Sequence, residues 1–76
     1  MDKRSLKDLL YEQVARVGQA VSSPKRLELL ELLAQGEKTV EALAGELSVD
    51  IKLTSAHLKA LRNARLVTSR REGKYV

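Results

Sequence analysis

Leu6, Leu9, Leu10, Val14, Val17 and Val21 recur at helical spacing, with Lys7, Asp8, Glu12, Gln13 and Arg16 between them. The pattern predicts a first helix over about 5–20. Ser22-Ser23-Pro24 then interrupts it. Ser23 suits an N-cap, and Pro24 suits the first helical position, where its missing N–H would have no intrahelical partner. A second helix follows over 24–35, with Gly36 as its left-handed stop. Leu27, Leu29, Leu30, Leu32, Leu33 and Ala34 form a band too wide for a helix buried on one side, which places this helix at the centre of the fold. Thr39 is the expected N-cap of a third helix over 40–47 that turns Val40, Leu43, Ala44 and Leu47 inward. After the brief break Ser48-Val49-Asp50, Asp50 caps a fourth helix over 51–64, a contribution of about 1 kcal/mol. Two short helices joined by such a turn form a helix-turn-helix. From 67 to 76 the pattern changes to a β-hairpin: Thr68-Ser69-Arg70 and Lys74-Tyr75-Val76 flank Arg71-Glu72-Gly73, where Gly73 accepts positive φ. The predicted fold class is thus mainly α with a small β-hairpin wing, a winged helix-turn-helix over 1–76. Its second wing strand has three residues, so the domain is expected to be truncated there unless another segment pairs with it.

Composition narrows the chemistry. The chain has 76 residues, 43% apolar and 32% charged, which fits one soluble globular unit. No apolar run approaches the roughly 20 residues of a membrane span, and a cytoplasmic location is the default expectation. Cysteine is absent and histidine occurs once, at His57, so no cofactor or metal is expected within this segment and most acid–base schemes are weakened. With no glycine-rich phosphate loop and no convincing carboxylate pair, an enzyme is not expected. The aromatics are Tyr11, a partly exposed residue of the first helix, and Tyr75, a hairpin packing residue, so a surface of stacked aromatics for single strands is not expected. Net charge is +4, unevenly placed. Residues 1–47 carry seven Lys or Arg against eight acids; residues 48–76 carry seven against two, Asp50 and Glu72. Such asymmetry is the footprint of a surface facing a polyanion, or else a solvated basic face.

The fourth helix decides between these. At about 100° per residue, Lys52, Ser55, Ala56, Lys59, Arg62 and Asn63 share an arc of roughly 120° that holds no carboxylate. Leu53, Thr54, His57, Leu58, Leu61 and Ala64 take the opposite side, expected to dock on helices two and three. The polar side fits the major groove of double-stranded DNA. Lys52, Ser55 and Ala56, near the helix start, are assigned to base edges, with Ile51 or Thr54 at the margin. Lys59 and Arg62 are assigned to phosphates, and Arg70, Arg71 and Lys74 of the wing to the backbone or minor groove. His57 has two readings, an imidazole bonded to a backbone group or a phosphate contact from the helix edge. A protein-interaction module without DNA binding remains the alternative use of this scaffold; the acid-free arc argues against it.

Ser23-Pro24-Lys25-Arg26-Leu27-Glu28-Leu29-Leu30 and Leu33-Ala34-Gln35-Gly36-Glu37 resemble the ArsR/SmtB family of winged-helix repressors. The likeness continues through Val40-Glu41-Ala42-Leu43-Ala44 and is most specific over 55–67, from Ser55-Ala56-His57-Leu58-Lys59 to Arg65-Leu66-Val67. Residues 70–76 are similar to the family's wing. The N-terminal stretch and the break at Val49-Asp50-Ile51 are similar to members that carry a C-terminal rhodanese domain. The resemblance implies a homodimeric repressor that binds an inverted repeat at its own promoter, with the Leu6, Leu9, Leu10, Val14 and Val17 stripe contributing to dimerisation. The same stripe would otherwise pack on the second helix. Thr39 and Glu41 stand where metal-sensing members have cysteines, so that sensor site is lacking. Arg65 stands where a glycine is usual, and Leu53 where a polar residue is.

Overall fold

The computed structural model describes residues 3–70 and 74–76. Four helices follow one another: α1 (Lys3–Ala20), α2 (Pro24–Leu33), α3 (Val40–Leu47) and α4 (Ile51–Asn63). Three begin at side-chain caps that the sequence announces. Ser23 accepts the Arg26 N–H, Thr39 the Ala42 N–H and Asp50 the Leu53 N–H. These bonds satisfy donors that a helix start would otherwise leave open.

α2, α3 and α4 pack against one another around Leu29, Leu43, Leu47, Leu58 and Leu61, with Ala20 and Ala64 at the margins. Lys25 ties α2 to the end of α3 by donating from Nζ to the Leu47 carbonyl at 3.3 Å. A cation there also meets the negative end of the α3 dipole. α2 touches both other core helices, with Leu29 sealed and Leu30, Leu32 and Leu33 packed on the core, while Leu27 departs from the expected band at 52% exposed. α2 also stops at Leu33 rather than at 35; Ala34 is its C-cap, and Gly36 follows at φ 142°.

α1 is an arm. Of its residues Ala20 alone is buried, and the molecule reaches 46 Å along its longest axis. Leu6, Leu9, Leu10, Val14 and Val17 all stay exposed, so packing of this stripe on α2 does not occur within one chain.

Of the predicted hairpin, the described residues hold one antiparallel rung, in which Arg70 and Tyr75 exchange both N–H bonds. Tyr75 pairs antiparallel with Arg70 on one side and with Thr39 on the other. Lys38 and Val76 exchange both N–H bonds, at 3.1 and 2.9 Å, and Val40 N–H donates to the Lys74 carbonyl at 3.1 Å. The last three residues therefore lie between two partners, and the additional partner is the segment leading into α3. Arg71, Glu72 and Gly73, including the expected turn glycine, lie outside the described residues.

Candidate nucleic-acid interface

The turn before α4 sets how that helix leaves the core. Ser48 closes α3 in the left-handed region, at φ 54°. Val49 N–H then donates to the Ala44 carbonyl at 3.1 Å while the Val49 side chain packs on the core. Asp50 Oδ1 accepts the Leu53 N–H at 2.7 Å. The chain is thus fixed at three successive residues as it enters α4.

From there the helix divides by burial. Thr54, Leu58 and Leu61 are sealed against the core. Lys52, Ser55, Ala56, Lys59, Arg62 and Asn63 are all exposed. These six share one side of α4, as the helical projection requires. Ser55 and Arg62 border a cleft of about 220 Å³ that Val40, Val67 and Ser69 also line. Arg62 Nη1 donates to Ser69 Oγ at 3.2 Å, which joins the last turn of α4 to the base of the wing segment.

Several expected contacts stand elsewhere. Thr54 is fully buried, and among the described residues its Oγ1 has no hydrogen-bond partner; a base contact from it would require α4 to leave the core. Leu53, expected inward, is 47% exposed. At about 100° per residue it lies at the edge of the inward arc, about 100° from sealed Thr54. His57 is half-buried, and its Nδ1 accepts from Arg26 Nε at 3.1 Å, so its partner is a side chain rather than a backbone group. Arg26 also donates from Nη1 to the Gln19 carbonyl at 3.5 Å.

The wing cations differ from one another. Arg70 Nη2 meets Glu37 Oε1 at 2.6 Å, and its guanidinium lies over the Tyr75 ring, 4.8 Å from the centroid. The Glu37 hydrogen bond holds Arg70 even more firmly protonated than an ordinary arginine. Its charge is thus already paired within the chain, in an ion pair whose two side chains both stay partly exposed. Lys74 is exposed. Arg71 lies outside the described residues.

Arg26 and Glu37 were not singled out by sequence. Each meets a partner more than thirty residues away, at His57 and Arg70, and no local pattern signals such pairs. At α3, Thr39 Oγ1 serves the helix cap and Glu41 is exposed. Neither supplies a thiolate, and among the described residues no group of three His, Cys, Asp or Glu is placed to hold a metal ion. Among those residues no helix is long and apolar enough to cross a membrane.

A family model described as "Bacterial regulatory protein, arsR family" matches residues 23–69. An HTH-type transcriptional regulator of Mycobacterium tuberculosis is 49% identical over 67 residues, covering 88% of this chain and 30% of the relative. An arsenical resistance operon repressor of Staphylococcus xylosus is 33% identical over 83% of this chain and 61% of its own length. The chain spans 30% to 59% of the first three curated relatives it matches. Among solved structures, the fold is similar to a homodimeric winged helix-turn-helix DNA-binding domain of a possible ArsR-family transcriptional regulator from Mycobacterium bovis. That likeness has a TM-score of 0.87 at 45% identity and covers 99% of this chain and 69% of the other. NolR from Sinorhizobium fredii gives 0.78 at 31% identity, covering 99% and 73%.

Proposed function

The chain belongs to the ArsR family of bacterial regulatory proteins, and from that premise we propose that it is the DNA-reading part of a transcriptional repressor. It binds double-stranded DNA sequence-specifically as a homodimer and acts in the cytoplasm. Its role is binding rather than catalysis.

One observation carries the reading: α4 seals Thr54, Leu58 and Leu61 in the core and leaves exposed an arc with Lys52, Lys59 and Arg62 and no carboxylate. A helix so divided fits the major groove. Lys52, Ser55 and Ala56 approach base edges, Lys59 and Arg62 take phosphates, and Lys74 reaches the backbone beside the groove. The second protomer is met through α1. Its Leu6, Leu9, Leu10, Val14 and Val17 are uncovered in a single chain, and the M. bovis relative is homodimeric. In the dimer the two α4 helices enter major grooves about 34 Å apart.

Selection of bound duplexes from a random pool tests this directly. The expected product is an inverted repeat whose half-sites lie about one helical turn apart, or a multiple of it. A pool that yields no enrichment refutes the proposal.

A further inference from the structure

α4 begins with two uncovered aliphatic side chains. Ile51 is 51% exposed and Leu53 47%, and neither joins the core cluster. Positions two apart on a helix are separated by about 200°, so these two lie on opposite flanks of the first turn with Lys52 between them. Scattered exposed aliphatics are ordinary on a protein surface. Here the distinguishing feature is their setting. Lys52, Ser55, Ala56 and Lys59 fill the exposed side between the flanks, and the carboxylate that precedes Ile51 in the chain, Asp50, is engaged in the helix cap. Whatever covers Ile51 and Leu53 must also accept this cationic, acid-free row. That charge pattern favours a polyanion over an apolar pocket on another protein.

The groove geometry then names the occupant. A helix with its side chains is about 10–12 Å across, and the major groove is about 12 Å wide, so flanking residues of an inserted helix face the groove walls. Among the groups that base pairs present there, the thymine C5-methyl is the apolar one. We propose that Ile51 and Leu53 are specificity-determining residues that read thymine methyl groups, one on each strand of every half-site. The inference rests on the DNA-binding reading above and adds base identity to it. Cytosine at the same place offers a hydrogen and an amino donor, which an aliphatic side chain cannot satisfy.

The test removes the methyl rather than the side chain. In a duplex selected by the protein, each thymine of a half-site is replaced in turn by deoxyuridine, which keeps every hydrogen-bonding group. Burial of one methyl amounts to about 0.8 kcal/mol, so loss of a read methyl should weaken binding about fourfold. Two positions per half-site should respond. The response at one should vanish in Ile51→Ala and at the other in Leu53→Ala, both exposed substitutions by a good helix former. Uniform indifference to deoxyuridine, or responses that persist in both variants, overturns the assignment while leaving DNA binding intact. Failure to select any duplex overturns the DNA-binding reading and this inference with it.

Discussion

Replacing Lys59 by Ala should change the salt dependence of DNA binding by an amount the structure fixes in advance. In the proposed complex each protomer offers four exposed cations to the duplex: Lys52, Lys59 and Arg62 on α4, and Lys74 beside the wing. Arg70 is left out because Glu37 already neutralises it. Eight phosphate contacts per dimer give a log–log salt slope of about −7. Between 50 and 200 mM salt that slope costs roughly four orders of magnitude in affinity. Lys59→Ala removes one contact from each protomer, so the slope should fall to about −5.4. Because Lys59 is assigned to a phosphate, specific and random duplexes should weaken alike. Fluorescence anisotropy titrations at four or five salt concentrations, on a selected duplex and a scrambled one, supply both quantities. An unchanged slope would remove Lys59 from the interface. Affinity nearly independent of salt in the parent protein would refute the electrostatic reasoning as a whole.

Other consequences are reached by simpler assays. Glu37→Gln should release Arg70 toward the backbone and steepen the salt slope by about 0.9 per protomer, with an unchanged slope showing that Arg70 does not face DNA. Thr54→Val keeps the shape of a sealed side chain and removes a buried hydroxyl without a partner among the described residues; stability should rise by about 1 kcal/mol and Tm by about 4–8 °C, and a fall would mean the hydroxyl is bonded. Arg65 holds φ 61° just past the end of α4, so Arg65→Gly should stabilise by about 0.5–1 kcal/mol in thermal melts, whereas destabilisation would show that no strain resides there. Val14, 62% exposed on the arm, becomes a dimer-breaking position as Val14→Asp: sedimentation should report monomer with unchanged helical circular dichroism, and a persistent dimer would exclude the stripe.

What sequence alone made legible was local. The caps at Ser23, Thr39 and Asp50 each join residues three apart, so residue type and spacing suffice to find them. The division of α4 follows from its period in the same way, at Thr54, Leu58 and Leu61 on one side and Lys52 and Lys59 on the other. Leu53 shows where projection stops. An angle states where a side chain points, but not whether anything stands there, and Leu53 is 47% exposed. The α1 stripe has the converse history: its periodicity was visible, whereas its exposure depended on whether the arm folds back over α2. The pairing of 38–40 with 74–76 links segments remote in the chain, and three-residue runs carry too little alternation to announce it.

The same limit applies to charge, and it bears directly on how the protein would read DNA. In sequence, the fourteen Lys and Arg can be sorted only by segment and helical angle. In the fold they separate by partner. Lys25 closes α3, and Arg70 is paired with Glu37. Arg26 reaches the end of α1 at Gln19 and the middle of α4 at His57, so it sits at the joint between the arm and the reading helix. Arg62 fastens the far end of α4 to Ser69. Lys52 and Lys59, among the described residues, have no carboxylate partner. Lys52 and Lys59 are therefore left to meet a ligand, whereas Arg62 braces the end of α4 while its side chain stays exposed. This division matters because a dimer reads two half-sites only if the angle between its arm and its reading helix is maintained. Arg26, bonded from α2 to both elements at once, helps hold that angle.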